Sequence, residues 1–67
     1  MTVLKTRMHE YRKRLKIKQQ DLADRVGTRR ETIGKIENGY NNPSLKLAMD
    51  IAKVFDTTVE EIFTFEE

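Results

Sequence analysis

The side chains able to do chemistry in this sequence are cations and hydrogen-bonding groups rather than catalysts. His9 is the single histidine, and there is no cysteine. No cysteine or carboxylate cluster stands near His9 in the sequence, so the ligand spacing of a metal site is missing. No nucleophile–base constellation and no glycine-rich phosphate loop occurs. Enzyme activity, cofactors and metals are therefore not expected. Met1, Met8 and Met49 read as an initiator and two core fillers rather than a ligand set. What remains is charge. Residues 1–35 carry 11 of the 13 Lys and Arg beside 4 acidic residues, whereas residues 36–67 carry 2 basic and 7 acidic ones. Charge segregated in this way suits a polyanion on one face and another task elsewhere. The alternative is a solvated surface, unevenly sampled.

A small scaffold must position these groups. A chain of 67 residues allows one domain, residues 1–67. A domain of this size buries only roughly 60% of the surface its unfolded chain exposes. Without cysteine there is no disulfide framework, which fits a reducing compartment. The longest apolar run is Leu47-Ala48-Met49. A membrane span needs about 20 apolar residues and a signal-peptide core roughly 7–15. The chain is accordingly read as cytoplasmic and complete, with neither a membrane nor a small molecule as partner.

Hydrophobic spacing predicts five short helices. Leu4, Met8, Tyr11 and Leu15 mark one face of the first, with Thr6 as its N-cap and Arg12, Lys13, Arg14 and Lys16 around it. The second runs from Gln19 to Val26, with Leu22, Ala23 and Val26 inward and Gly27 releasing the chain. The third spans about residues 29–38, with Ile33 and Ile36 inward and Gly39 as its stop. Asn41-Asn42-Pro43 marks a loop. The fourth helix opens at Ser44 and buries Leu45, Ala48, Ile51, Ala52 and Phe55. The fifth opens on a capping box, Thr58-Val59-Glu60-Glu61. Only Gly27 and Thr28 separate helices two and three, so their axes must cross steeply, as in a helix-turn-helix. Val3-Leu4-Lys5 and Phe63-Thr64-Phe65 are too short for helices and suit a two-stranded pairing, which is weak unless packed on something. The fold class is all-α, five helices with a helix-turn-helix over about residues 19–38, and room for a small antiparallel sheet made by the two termini.

The ordered set Gln19-Gln20-Asp21-Leu22-Ala23, the turn at Gly27, Thr32-Ile33-Gly34-Lys35-Ile36-Glu37-Asn38-Gly39 and Pro43-Ser44-Leu45 resembles the phage Cro/repressor-like (xenobiotic-response-element) helix-turn-helix family. The tail from Leu47 to Phe63 is similar to the last two helices of that family. The length and both ends resemble the short cytolysin-repressor type, in which the termini pair as a small sheet and the protein acts as a dimer. The resemblance implies that helix three enters the major groove. Arg29, Arg30, Glu31, Lys35 and Asn42 are then the candidates for base readout. Arg30 leads, because a guanidinium reaches guanine O6 and N7 with two parallel bonds. Its alternative is an exposed Arg paired with Glu31 or Asp24. Glu31 either accepts from a cytosine amine or orients Arg30 or Lys35. Lys18, Gln19, Thr32, Asn38 and Tyr40 are the candidates for the DNA backbone, with Lys13, Arg14 and Lys16 as a basic flank; the alternative for Tyr40 is a ring packed on its loop. Arg12 and Glu37 match the structural ion pair of the family, which fixes helix three against helix one. Gly34 reads as room for close backbone approach or as simple tolerance.

The chain departs from the family pattern in three ways. Lys18 stands where Ser or Thr usually caps helix two, so that cap is weaker or supplied by Asp21. Arg30 and Glu31 stand where relatives often carry Gln. Asp56 replaces the usual Gly or Asn after helix four.

One small domain covers only part of a DNA turn, so two half-sites about 34 Å apart call for a homodimer. Val59, Ile62, Phe63 and Phe65, in about residues 59–65, have no evident need within the chain and are the expected interface. The alternative is that they cap the monomer's own core. The expected function is a sequence-specific, double-stranded DNA-binding transcriptional regulator, a homodimeric repressor on a palindromic operator. The alternatives are an antitoxin-type DNA-binding autorepressor and a protein-interaction module on the same fold.

Overall fold

The two ends of the chain meet. In the computed structural model, which describes residues 2–67, strand β1 (Val3–Thr6) pairs antiparallel with strand β2 (Phe63–Glu66). Leu4 lies opposite Phe65 and Thr6 opposite Phe63. Alternation puts these four residues on one face of the ribbon, and Leu4 and Phe63 are buried there. Between the strands come α1 (Met8–Leu15), α2 (Gln19–Val26), α3 (Arg30–Glu37), α4 (Leu45–Val54) and α5 (Val59–Ile62). The sheet suggested by the terminal sequences thus forms, within a single chain, because it has the helical core to pack on.

Every helix contributes to that core. Met8, Leu22, Ile33, Ile36, Ile51 and Ile62 are fully buried, each worth roughly 1.5–3 kcal/mol relative to exposure. Tyr11 stacks on Phe55 with ring centroids 5.5 Å apart, while the guanidiniums of Arg7 and Arg14 lie 5.4 and 5.1 Å from the Tyr11 ring. The order α1 to α5 and the inward sets of α2 and α3 agree with the hydrophobic spacing.

Several local expectations need correction. Leu4 belongs to β1, not to α1, and Thr6 does not cap α1. Arg7 precedes α1 without a side-chain cap, and the Thr6 hydroxyl donates instead to the carbonyl of Glu37 at 3.0 Å. Leu15 is half-exposed because α1 ends there. Leu45, expected in the core, is 74% exposed. It shares the stripe of Ala48 but lines an open groove with Leu4, Asn42, Pro43, Val59, Phe63 and Phe65. Met49 lies at the edge of the α4 stripe and is also exposed, so Met8 alone of the two fills the core. Met1, read as the initiator, lies outside the described residues. The capping box on α5 is half made: Thr58 Oγ1 accepts from Glu61 N–H at 3.2 Å, but the Glu61 carboxylate turns to Arg7 at 3.5 Å.

The turns that set α3 are specific. Gly27 ends α2 in the left-handed region at φ 73°. Gly39, at φ 79°, passes so close to β1 that a Cβ there would sit 2.7 Å from the carbonyl oxygen of Leu4. Glycine at 39 therefore lets the end of α3 rest on the terminal sheet.

Candidate nucleic-acid interface

Helices α2 and α3 pack against each other and turn Leu22, Ala23, Ile33 and Ile36 into the common core, which leaves their other faces to solvent. The two N-termini of this pair lack side-chain caps. Lys18 and Arg29 precede α2 and α3 with no cap hydrogen bond to the first turn. By contrast, Ser44 Oγ accepts from Leu47 N–H at 3.1 Å and Thr58 caps α5. Uncapped first-turn N–H groups carry the positive end of the helix dipole and suit an anion. Asp21 repairs only the entry to α2, accepting from the Lys18 backbone N–H at 2.9 Å.

Arg29, Arg30, Glu31, Lys35 and Asn38 are exposed along α3 and its ends, and Thr32 is half-buried. Arg30 lies 4.0 Å from Glu31. Asp24, the other partner considered for it, instead accepts from Gln20 at 2.8 Å. Among the described residues no ion pair joins Glu31 to Lys35. Tyr40 is 79% exposed, so its ring is not packed on the loop. Asn42 is exposed and lines the apolar groove with Leu45 and Phe65. Lys18, beside the uncapped start of α2, is exposed too.

Behind this surface lies the Arg12–Glu37 pair. Arg12 Nε and Nη2 donate to the two carboxylate oxygens of Glu37 at 3.1 and 2.7 Å. Arg12 Nη1 donates to the carbonyl of Ile17 at 3.1 Å. The side chains are 12% and 8% exposed. A bidentate, nearly buried pair is geometrically rigid, and this one ties α1 to the end of α3. Three further side chains, Gln19, Arg30 and His9, join this network. Gln19 Nε2 donates to Glu37 Oε2 at 3.3 Å, and Gln19 Oε1 accepts from Arg30 Nη1 at 3.3 Å. His9 Nδ1 lies 3.1 Å from Arg12 Nη2 and 3.4 Å from Glu37 Oε1. The Gln19 contacts span 18 and 11 positions, and no local pattern encodes them, whereas His9 stands three residues before Arg12 on α1. Gly34 faces Gln19 as well: a Cβ there would lie 3.6 Å from Gln19 Oε1, an ordinary contact.

The expected dimer residues divide. Ile62 is 1% exposed and Phe63 is buried, so both serve the monomer core rather than wait for a partner. They are buried because α5 and β2 fold back under β1. Val59 is half-buried against the core. Phe65 is 57% exposed beside the groove. Among the described residues no group of His, Asp or Glu could hold a metal ion, and no helix is long and apolar enough to cross a membrane.

Comparison with known proteins places this geometry in context. The helix-turn-helix family model matches residues 8–62. An uncharacterized HTH-type transcriptional regulator of Archaeoglobus fulgidus is 52% identical over 64 residues, covering 96% of this chain and 90% of the relative. One from Methanocaldococcus jannaschii is 44% identical, covering 96% and 97% respectively. The Bacillus subtilis HTH-type transcriptional regulator YgzD is 39% identical with the same coverage.

Proposed function

The chain belongs to the helix-turn-helix family of DNA-binding transcriptional regulators, and from that premise we propose that it is a homodimeric repressor occupying a palindromic operator. In this reading α3 lies in the major groove. Arg30 takes a guanine edge with two parallel bonds, Arg29 and Lys35 flank it, and Glu31 accepts from a cytosine amine or orients a neighbour. Lys18, Gln19, Thr32, Asn38 and Tyr40 hold phosphates, helped by the uncapped start of α2. Asn42 reaches its base edge from the loop. Occupying a promoter needs nothing beyond binding, so repression is the simplest outcome. The molecule works in the cytoplasm, where such an operator is.

One observation carries the reading: the exposed cations of α3 stand in front of a nearly buried Arg12–Glu37 pair. That arrangement preorganises a reading surface, and preorganisation is what base discrimination requires. The homodimer is supported by Phe65, Leu45 and Val59 around the groove, apolar side chains that a small monomer would otherwise leave wet.

Selection from a pool of random duplexes, at about 0.15 M salt because affinity depends on it, tests this. The expected result is a two-fold symmetric motif with half-sites about ten base pairs apart. Binding without an enriched motif contradicts it.

A further inference from the structure

The last four carbonyls of a helix have no partner within it. At the end of α3 three of them are closed by the residues that follow. The carbonyl of Gly34 accepts from Asn38 N–H at 3.1 Å, that of Lys35 from Tyr40 N–H at 2.8 Å and that of Ile36 from Gly39 N–H at 2.9 Å. The fourth, on Glu37, takes the Thr6 hydroxyl at 3.0 Å, from 31 positions away in the chain. Two residues on, Gly39 meets the carbonyl oxygen of Leu4, so closely that a Cβ would sit 2.7 Å from it. Thr6 and Leu4 both belong to β1, which pairs with β2. The terminal sheet therefore holds the backbone on either side of Asn38, where α3 gives way to the loop. The hydroxyl just before α1 serves α3 in this way, and α1 starts without a side-chain cap. A local rule broken without local gain marks a place where another demand is met.

We infer that Thr6 is a positioning residue for DNA recognition: it fixes the C-terminal end of α3 and so sets where Lys35, in the last turn, and Asn38, Tyr40 and Asn42, just beyond it, meet the duplex. This rests on α3 being the reading helix. The Arg12–Glu37 pair reaches the same residue through rotatable side-chain bonds, whereas Thr6 takes the backbone itself. A helix released at one end swings most at that end. Removing the Thr6 hydroxyl therefore displaces the contacts of Lys35 and leaves those of Arg30, at the start of α3, in place.

The test selects wild type, Thr6→Val, Thr6→Ser, Lys35→Ala and Arg30→Ala against one random duplex pool. Valine keeps the branched shape and suits a strand, but it has no donor. Lys35→Ala and Arg30→Ala mark the base pair that each residue reads, each by a loss of about tenfold in preference. Thr6→Val is expected to lose about threefold at the Lys35 pair, half of that effect as free energy, and nothing at the Arg30 pair. Thr6→Ser keeps the donor and is expected to keep the wild-type preferences. If Thr6→Val lowers the melting temperature with every preference unchanged, Thr6 is structural only and this inference falls alone. Equal losses at both pairs, a serine variant as impaired as the valine one, or a Lys35→Ala profile that marks no pair overturn it too. If wild type enriches no motif, the operator reading falls and takes the inference with it. Should valine prevent folding, Thr6→Ala, which lets water reach the Glu37 carbonyl, carries the same expectations.

Discussion

Glu37 joins three separate elements to the end of α3: its carboxylate takes Arg12 of α1 and Gln19 of α2, and its backbone carbonyl takes the Thr6 hydroxyl of β1. Replacing one partner of a nearly buried pair leaves the other charge uncompensated, at about 3–5 kcal/mol. Glu37→Gln is therefore expected to lower the melting temperature by more than about 10 °C in a domain of this size; unchanged melting contradicts the account of the pair. Gly39 gives a second case. At φ 79°, with the Leu4 carbonyl 2.7 Å from any Cβ, Gly39→Ala must move backbone against backbone. It should cost about 1–3 kcal/mol in urea unfolding. The Arg12–Glu37 match and the glycine stop were visible as residue types in order. The links from Gln19 to Glu37 and Arg30 were not, because they span 18 and 11 positions and depend on how α2 crosses α3. Leu45 and Met49 show the opposite failure. Their spacing reads as core, but whether a stripe is covered depends on what lies over it, and the groove beside α4 stays open.

The elements follow from local signals more directly than the site does. Gly27, Gly39, Ser44 and Thr58 each mark a boundary the structure keeps. Thr6 misled because β1 and α1 are contiguous but for Arg7, so a hydroxyl in cap position was recruited by the end of α3 instead. Lys16 and Asp56 adopt positive φ, 57° and 54°, without being glycine. Within α3, Gly34 has space for a methyl at ordinary contact distance. Gly34→Ala is expected to raise stability by about 1 kcal/mol through helix propensity, read as a higher urea midpoint; destabilisation contradicts that contact geometry. At the start of α1, Arg7 bonds the Glu10 carboxylate at 2.9 Å and holds its pKa below the ordinary value. A lowered folded pKa means stability present above the unfolded carboxylate value and lost as pH falls through the folded one. The melting difference between wild type and Glu10→Gln should therefore shrink as the solution is acidified through that range, and a constant difference argues against the contact.

At the scale of the whole molecule, the separation of charge along the chain follows the order of its elements. The basic half supplies α1 to α3 up to Lys35, and the acidic half supplies α4, α5 and β2. The apolar groove is lined by residues of the acidic half together with Leu4 of β1, and Leu45 and Phe65 are its exposed apolar side chains. Phe65→Glu is expected to shift sedimentation toward a monomer and to weaken operator binding without lowering the melting temperature of the monomer fold. A dimer that persists in that variant relocates the interface. The central claim is that α3 discriminates among sequences rather than simply attracting phosphate. The most direct measurement titrates the protein into the enriched duplex and into a scrambled duplex of equal length, across a range of salt. The account predicts a gap of about a thousandfold or more at physiological salt, typical of specific over non-specific binding, with both affinities falling as salt rises. Equal affinities that fall together with salt would contradict it.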